Sequence, residues 1–364
     1  MMKVLFAGCL LFLLLNVAHV ECRVAPVESR RHDDDSSPDR LYKLFIFGDS
    51  IADDGNVPNP GLNRGSRAWY YPYGMSDDDH DNSPTGRFSN NMVQSDFLAK
   101  ILGHDESPPP YAAHKARRGK KSNRINSSGM NFANASSGAV YLVPTLGAQI
   151  DQFSSLVSDG VITERDLDES VALVAYSGRD YGRISNSASD DYIARFADDV
   201  TEEIAGIVKQ LQELGVPKVL VNSVPPLGCT PWMSRFTNYD HCDKRGNMIS
   251  DAHNTALLDK LGKEKNVMLL DVNTMFTELV SPKPGSTLSK QFKYMYQPCC
   301  ESIDASGYCG QYDGNRPLFR LCRNPDEYFY WDYIHPTHAG WKAVMQLLQG
   351  PIMAFLGISN LNHF

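Results

Sequence analysis

Long apolar runs are almost absent from this chain. Apart from Val4–Val17, no stretch of the 364 residues approaches the roughly 20 apolar positions that a membrane-spanning helix needs, so stable membrane insertion is not expected. Positive charge is also scarce. Lys and Arg number 35 against 43 Asp and Glu, a formal charge of −8, which argues against nucleic acid as the main partner. The eight cysteines lack Cys-x-x-Cys spacing and do not read as a zinc site. The acidic run Asp77–Asp81 has neither the Gly nor the closing Glu of a calcium loop. No metal or cofactor is expected, and neither internal repeats nor a composition break mark a second domain.

What is present begins with Lys3, the apolar run to Val17 and then Ala18-His-Val-Glu-Cys22. A charged zone, an apolar zone and a cleavage zone in that order lead us to expect a secretory signal peptide over residues 1–22. Residues 23–40 are polar, with Asp33–Asp35 and Pro38, and are expected to be a disordered leader. A single domain over 41–364 follows, and the expected destination is secreted or extracellular.

That route is oxidising, so Cys229, Cys242, Cys299, Cys300, Cys309 and Cys322 are disulfide candidates. The local pair Cys229–Cys242 is favoured. The other four would tie down an insertion, with their pairing open except that adjacent Cys299 and Cys300 do not suit one another. Asn126 and Asn134 stand in Asn-x-Ser sequences and are glycosylation candidates. The basic cluster Lys115, Arg117, Arg118, Lys120 and Lys121 reads as a solvated loop.

Short apolar runs at Tyr42–Phe47, Val171–Tyr176, Lys218–Val224 and Val267–Asp271 alternate with helical periodicity at Val93–Leu102, Tyr192–Leu214, Asn247–Leu261 and Thr337–Leu348. Such alternation implies a parallel sheet with helices on both faces. Periodicity does not give the strand order. A Gly/Pro/Asn-rich excursion runs from Asn56 to Thr85, and its cluster Trp69, Tyr70, Tyr71 and Tyr73 either lines a cleft or packs the loop down.

Two segments carry chemistry. Phe47-Gly-Asp-Ser-Ile51 would present Ser50 at the carboxyl end of the first strand, where open α/β sheets place their ligands. Asp332-Tyr-Ile-His335 puts a carboxylate three residues before an imidazole. A hydroxyl needs a base to take its proton, and the imidazole needs its tautomer fixed. Catalytic Ser50, His335 and Asp332 together imply acyl transfer to water. Asp49 and Asp180 abut these motifs and are expected to serve structural hydrogen bonds, and His338 is expected to be exposed.

Together with Gly86-Arg-Phe-Ser-Asn90, Asn131–Gly138, Gly178-Arg-Asp-Tyr181, Pro225–Cys229 and Trp331–Pro336, these segments resemble the plant GDSL esterase/lipase family of the SGNH hydrolase superfamily. Ile51 stands where Leu is usual. The resemblance implies a flavodoxin-like three-layer α/β/α sandwich with a mainly parallel sheet, and a carboxylic ester hydrolase acting on small-molecule or polysaccharide esters. It also implies an oxyanion hole at Ser50, Ser136 and Arg179. Ser136 replaces a family Gly, and Arg179 replaces an Asn whose amide donates to the oxyanion. These two departures motivate an alternative, a catalytically weakened relative that binds acylated glycans or a protein partner.

Overall fold

A strand that is apolar on both sides has to be covered on both faces, and Leu44-Phe-Ile-Phe47 is such a strand. In the computed structural model, which describes residues 42–116, 124–283 and 286–359, it forms β1 (Lys43–Gly48) near the middle of a sheet. The expected signal peptide and leader, and the basic positions 117–121, lie outside the described residues. The sheet is completed by β2 (Gly129–Asn131), β3 (Ser170–Ala175), β4 (Val219–Asn222) and β5 (Val267–Leu270) in the order β2-β1-β3-β4-β5. All four pairings are parallel. This is the flavodoxin-like order, and the expected fold class holds.

Alternation along each strand sends side chains to two separate cores. Leu44, Ile46, Val171, Leu173, Ala175, Leu220 and Leu270 join one core with helices α1 (Gln94–Ile101), α5 (Val272–Val280) and α6 (His338–Leu356). Phe45, Phe47, Ala172, Val174, Val219, Val221 and Val267 join the other with α2 (Leu146–Ser158), α3 (Asp190–Glu213) and α4 (Lys244–Leu261). Side-chain caps start most of these helices: Thr145, Ser189, Asp243, Asp271 and Thr337 each accept a backbone N–H of the first turn.

Helix α6 outruns the expected Thr337–Leu348, continuing through Pro351 to Leu356. Proline removes one ladder donor. Burial of Leu348, Ile352, Met353 and Leu356 against the first core keeps the helix intact beyond it.

A third, smaller cluster lies outside the layers. Val57, Ala68, Tyr73 and Phe88 from the excursion and its sequel pack with Cys299, Cys300, Cys309, Phe319 and Trp331. The disulfides are Cys229–Cys242, as favoured, with Cys299–Cys322 and Cys300–Cys309. The two adjacent cysteines thus pair outward to different partners. They also join the segment leading to Asp332, because the Cys299 and Cys300 N–H groups donate to the Tyr330 and Trp331 carbonyls.

Candidate active site

β1 and β3 are neighbours whose connections leave on opposite sides of the sheet, which opens a crevice at their carboxyl ends. Ser50 stands there, two residues past the end of β1. The turn into it requires Gly48. At φ +155° a Cβ on this residue would lie 2.2 Å from the Ala175 carbonyl oxygen, so no side chain fits. The Gln149 amide clamps the same residue, accepting from Gly48 N–H at 2.9 Å and donating to its carbonyl at 2.8 Å. Asp49 ties the turn to the end of β3, accepting from the Ser177 N–H at 2.9 Å and hydroxyl at 2.8 Å. Burial raises the Asp49 pKa.

The second segment comes from the far end of the chain. Asp332 Oδ1 accepts from the backbone N–H groups of Ile334 and His335, both at 2.9 Å, which closes a tight turn. The same carboxylate meets His335 Nδ1 at 2.8 and 2.9 Å, and His335 Nε2 meets Ser50 Oγ at 2.8 Å. With Nδ1–H donated to a carboxylate, Nε2 is left as the acceptor for the serine hydroxyl. All three side chains are buried. The helix that follows is capped by Thr337, whose hydroxyl accepts from Gly340 N–H at 2.9 Å.

Asp332 has further partners that sequence reasoning missed. Tyr73 donates its hydroxyl to Oδ2 at 2.8 Å, and Arg67 Nη2 donates to the same oxygen at 3.1 Å. Arg67 Nε also donates to the Tyr73 hydroxyl at 2.8 Å. The guanidinium lies 4.8 Å from the Phe88 ring centre, and that ring sits 5.0 Å from the imidazole of His335. Burial alone would raise the Asp332 pKa. The charge and hydrogen bonds of His335, then the Arg67 charge, outweigh it and hold this carboxyl far below the ordinary carboxylate range. The excursion that carries Arg67 therefore does more than pack down, although Tyr73 itself is buried rather than cleft-lining. Its sequence signal was the aromatic cluster; nothing singled out Arg67.

The expected oxyanion donors are differently placed. No hydrogen bond among the described residues uses the Ser50 N–H. The Ser136 N–H is already donated to Asn134 Oδ1 at 3.0 Å, so Asn134 would have to release it. Arg179 is exposed at the start of the short turn Arg179–Arg183 that follows β3, close enough for its charge to act on Asp49. Asp180 is structural as expected, its carboxylate accepting from the Ala139 and Tyr141 N–H groups and the Tyr176 hydroxyl at 2.6–2.8 Å. Asn126 is exposed in a surface turn, whereas the half-buried Asn134 side chain is engaged with Ser136 and with the Asn56 carbonyl.

Other histidines are set apart from this chemistry. His338 is half-buried rather than exposed, beside Phe97. His253 is fully buried, with Nδ1 2.7 Å from the Tyr181 hydroxyl, and burial lowers its pKa from 6.5 to about 3. The folded protein thus resists protonating His253 while the unfolded chain does so below about pH 6.5. Folding stability should fall by about 1.4 kcal/mol per pH unit from that point downward until the folded value is reached. Thermal melts of wild type and His253→Gln across this range should converge as pH falls; parallel curves would refute the effect.

The pattern of the family described as GDSL-like Lipase/Acylhydrolase matches residues 44–348. A GDSL esterase/lipase of Arabidopsis thaliana is 32% identical over 359 residues, covering 95% of this chain and 96% of the relative. A second from the same plant is 30% identical over 335 residues, covering 88% and 97%. A solved α/β hydrolase from the metagenome of Lake Arreo covers 88% of this chain and 97% of its own at 14% identity and a TM-score of 0.34, too loose a likeness to bear weight. The chain belongs to the GDSL-like lipase/acylhydrolase family.

Proposed function

We propose that this protein is a serine esterase that hydrolyses carboxylic esters by way of an acyl-enzyme. The observation that carries the reading is the unbroken run of contacts from Ser50 Oγ through His335 to Asp332, each at 2.8–2.9 Å. Ser50 attacks the ester carbonyl while His335 takes its proton; His335 then returns that proton to the departing alcohol. Water repeats the sequence on the acyl-Ser50 ester and releases the acid. Asp332 fixes the imidazole tautomer and stabilises the imidazolium. The Ser50 N–H is free to meet the developing oxyanion, and Ser136 N–H or Arg179 would add to it after a local adjustment.

Acyl and acetyl esters, free or on a polysaccharide, fit this chemistry equally. The three disulfides support a secretory-route protein, and among the described residues no helix is long and apolar enough to cross a membrane. Glycosylation at Asn126 would suit such a route.

A fluorophosphonate probe tests the reading. Wild type should be labelled and Ser50→Ala should not. Well-folded wild type that escapes labelling would instead favour the binding-protein alternative, to which the engaged Ser136 amide and exposed Arg179 lend support. Arg179→Asn tests the donor itself. If the exposed guanidinium is a poor substitute for an amide, turnover should rise, by up to about 10²-fold. An unchanged or lower rate would assign Arg179 another purpose.

A further inference from the structure

Residues 231–237 form two short turns, Pro231–Ser234 and Arg235–Thr237, beside the segment that carries Asp332 and His335. The two are joined where Trp232 N–H donates to the Tyr333 carbonyl at 2.9 Å. On this ledge the Arg235 guanidinium lies 3.5 Å from the Trp232 ring centre, 4.8 Å from that of Phe236 and 5.7 Å from that of Tyr333. Rings take the faces of a guanidinium and leave its N–H edges for acceptors. Those edges are not used here. Arg235 Nη1 is buried with no acceptor, and Arg235 has no ion-pair partner among the described residues. Glu301, whose charge acts on Tyr333, accepts from the Tyr239 hydroxyl at 2.5 Å.

A second guanidinium sharpens the imbalance. Arg64 is close enough for its charge to oppose that of Arg235. Its Nη2 donates to the Ser306 and Gly307 carbonyls, and among the described residues it forms no ion pair with a carboxylate either. Like charges within reach of one another repel unless an anion joins them. Around them Trp232, Phe236 and Ile334 expose apolar surface, and Ile334 immediately precedes His335. A preformed, stacked guanidinium whose outer N–H groups, Nε and Nη2, have no acceptor among the described residues, beside apolar side chains and the segment that carries the general base, is a receptor for a planar anion carried by an otherwise apolar molecule.

We propose that Arg235 receives a carboxylate on the substrate, so that this protein prefers anionic esters over neutral ones of the same shape. The inference rests on the esterase reading above and adds the substrate class to it.

The test pairs anionic with neutral esters. The 4-nitrophenyl monoesters of succinate and glutarate, set against the butyrate and valerate esters, place the charge on the acyl side. Acetylated 4-hydroxybenzoate against 4-methylphenyl acetate places it on the alcohol side. In wild type, kcat/KM for the anionic member of at least one pair should exceed that of its neutral partner by about tenfold or more. That ratio should fall towards one in Arg235→Gln and shrink with added salt. Hydrolysis of the neutral esters without any anionic preference overturns the inference and leaves the esterase standing, as does a preference that survives Arg235→Gln. Should no ester be turned over, calorimetric titration of the anionic esters into Ser50→Ala reads the site directly. Heat that disappears in Ser50→Ala/Arg235→Gln supports the receptor, and no heat in Ser50→Ala rejects it.

Discussion

Asp332→Asn should reduce kcat by on the order of 10⁴ while leaving the fold in place and KM for a neutral ester little changed. The carboxylate meets Nδ1 of His335 with both oxygens, at 2.8 and 2.9 Å. An amide can satisfy the same ring only by presenting its NH₂ or by accepting through one oxygen. Presenting the NH₂ turns the imidazole into its other tautomer, with Nε2 protonated and useless to Ser50; removal of the orienting charge from a comparable triad costs about that factor. The Asn also loses its match to Arg67 and Tyr73, both of which donate to Oδ2. Steady-state kinetics with a chromogenic ester, together with the rate of fluorophosphonate labelling, would show the loss. A fall of less than about tenfold would mean that Asp332 only closes its turn, a role an Asn side chain can also perform.

Arg67→Met should be the most destabilising single change near the site. It strips a guanidinium from a carboxylate in an ion pair whose side chains are only 15% and 4% exposed. Leaving one member of a buried pair uncompensated costs about 3–5 kcal/mol, read as a lower denaturant midpoint. The pH dependence has a definite sign. The Asp332 pKa is depressed below its ordinary 3.8 in the folded protein, so its stabilisation is complete above the ordinary value and is lost as pH falls through the lower folded one. Without Arg67 that folded value rises towards the unfolded one, and acid unfolding should begin at a higher pH. Tyr73→Phe, which removes one neutral donor to the same oxygen, should cost about 1–2 kcal/mol and lower kcat more than it raises KM. Arg67→Lys should recover part of the stability by charge alone, but not the second donor that reaches Tyr73. Equal stability of wild type and Arg67→Met would rule out this brace.

Where the sequence spoke clearly, packing and local chemistry agreed. β1, β3, β4 and β5 are short apolar runs covered on both faces, and α3 repeats its apolar positions from Ile193 to Leu211 at helical spacing. β2 was illegible because three residues carry no period. α2 and α5 went unannounced although each has a capping residue, Thr145 or Asp271, directly before it. Ser50, His335 and Asp332 were readable because their motifs demand particular residue types at short spacing. Arg67 was not. Its meaning depends on a loop folding back over 265 positions to reach one carboxylate oxygen, and no local pattern encodes such a return. The state of Ser136 was hidden for the opposite reason. Its amide is claimed by a side chain only two residues away, a contact that the sequence permits but does not require.

The hydroxyl and the imidazole are separated by 285 positions, and the helix that follows His335 closes one of the two cores. In a chain emerging from the ribosome, the hydroxyl therefore waits for its imidazole until position 335 has been made. On the proposed mechanism a copy that stops short of position 335 lacks its general base, and a shortening that cuts into His338–Leu356 also opens the core which that helix closes.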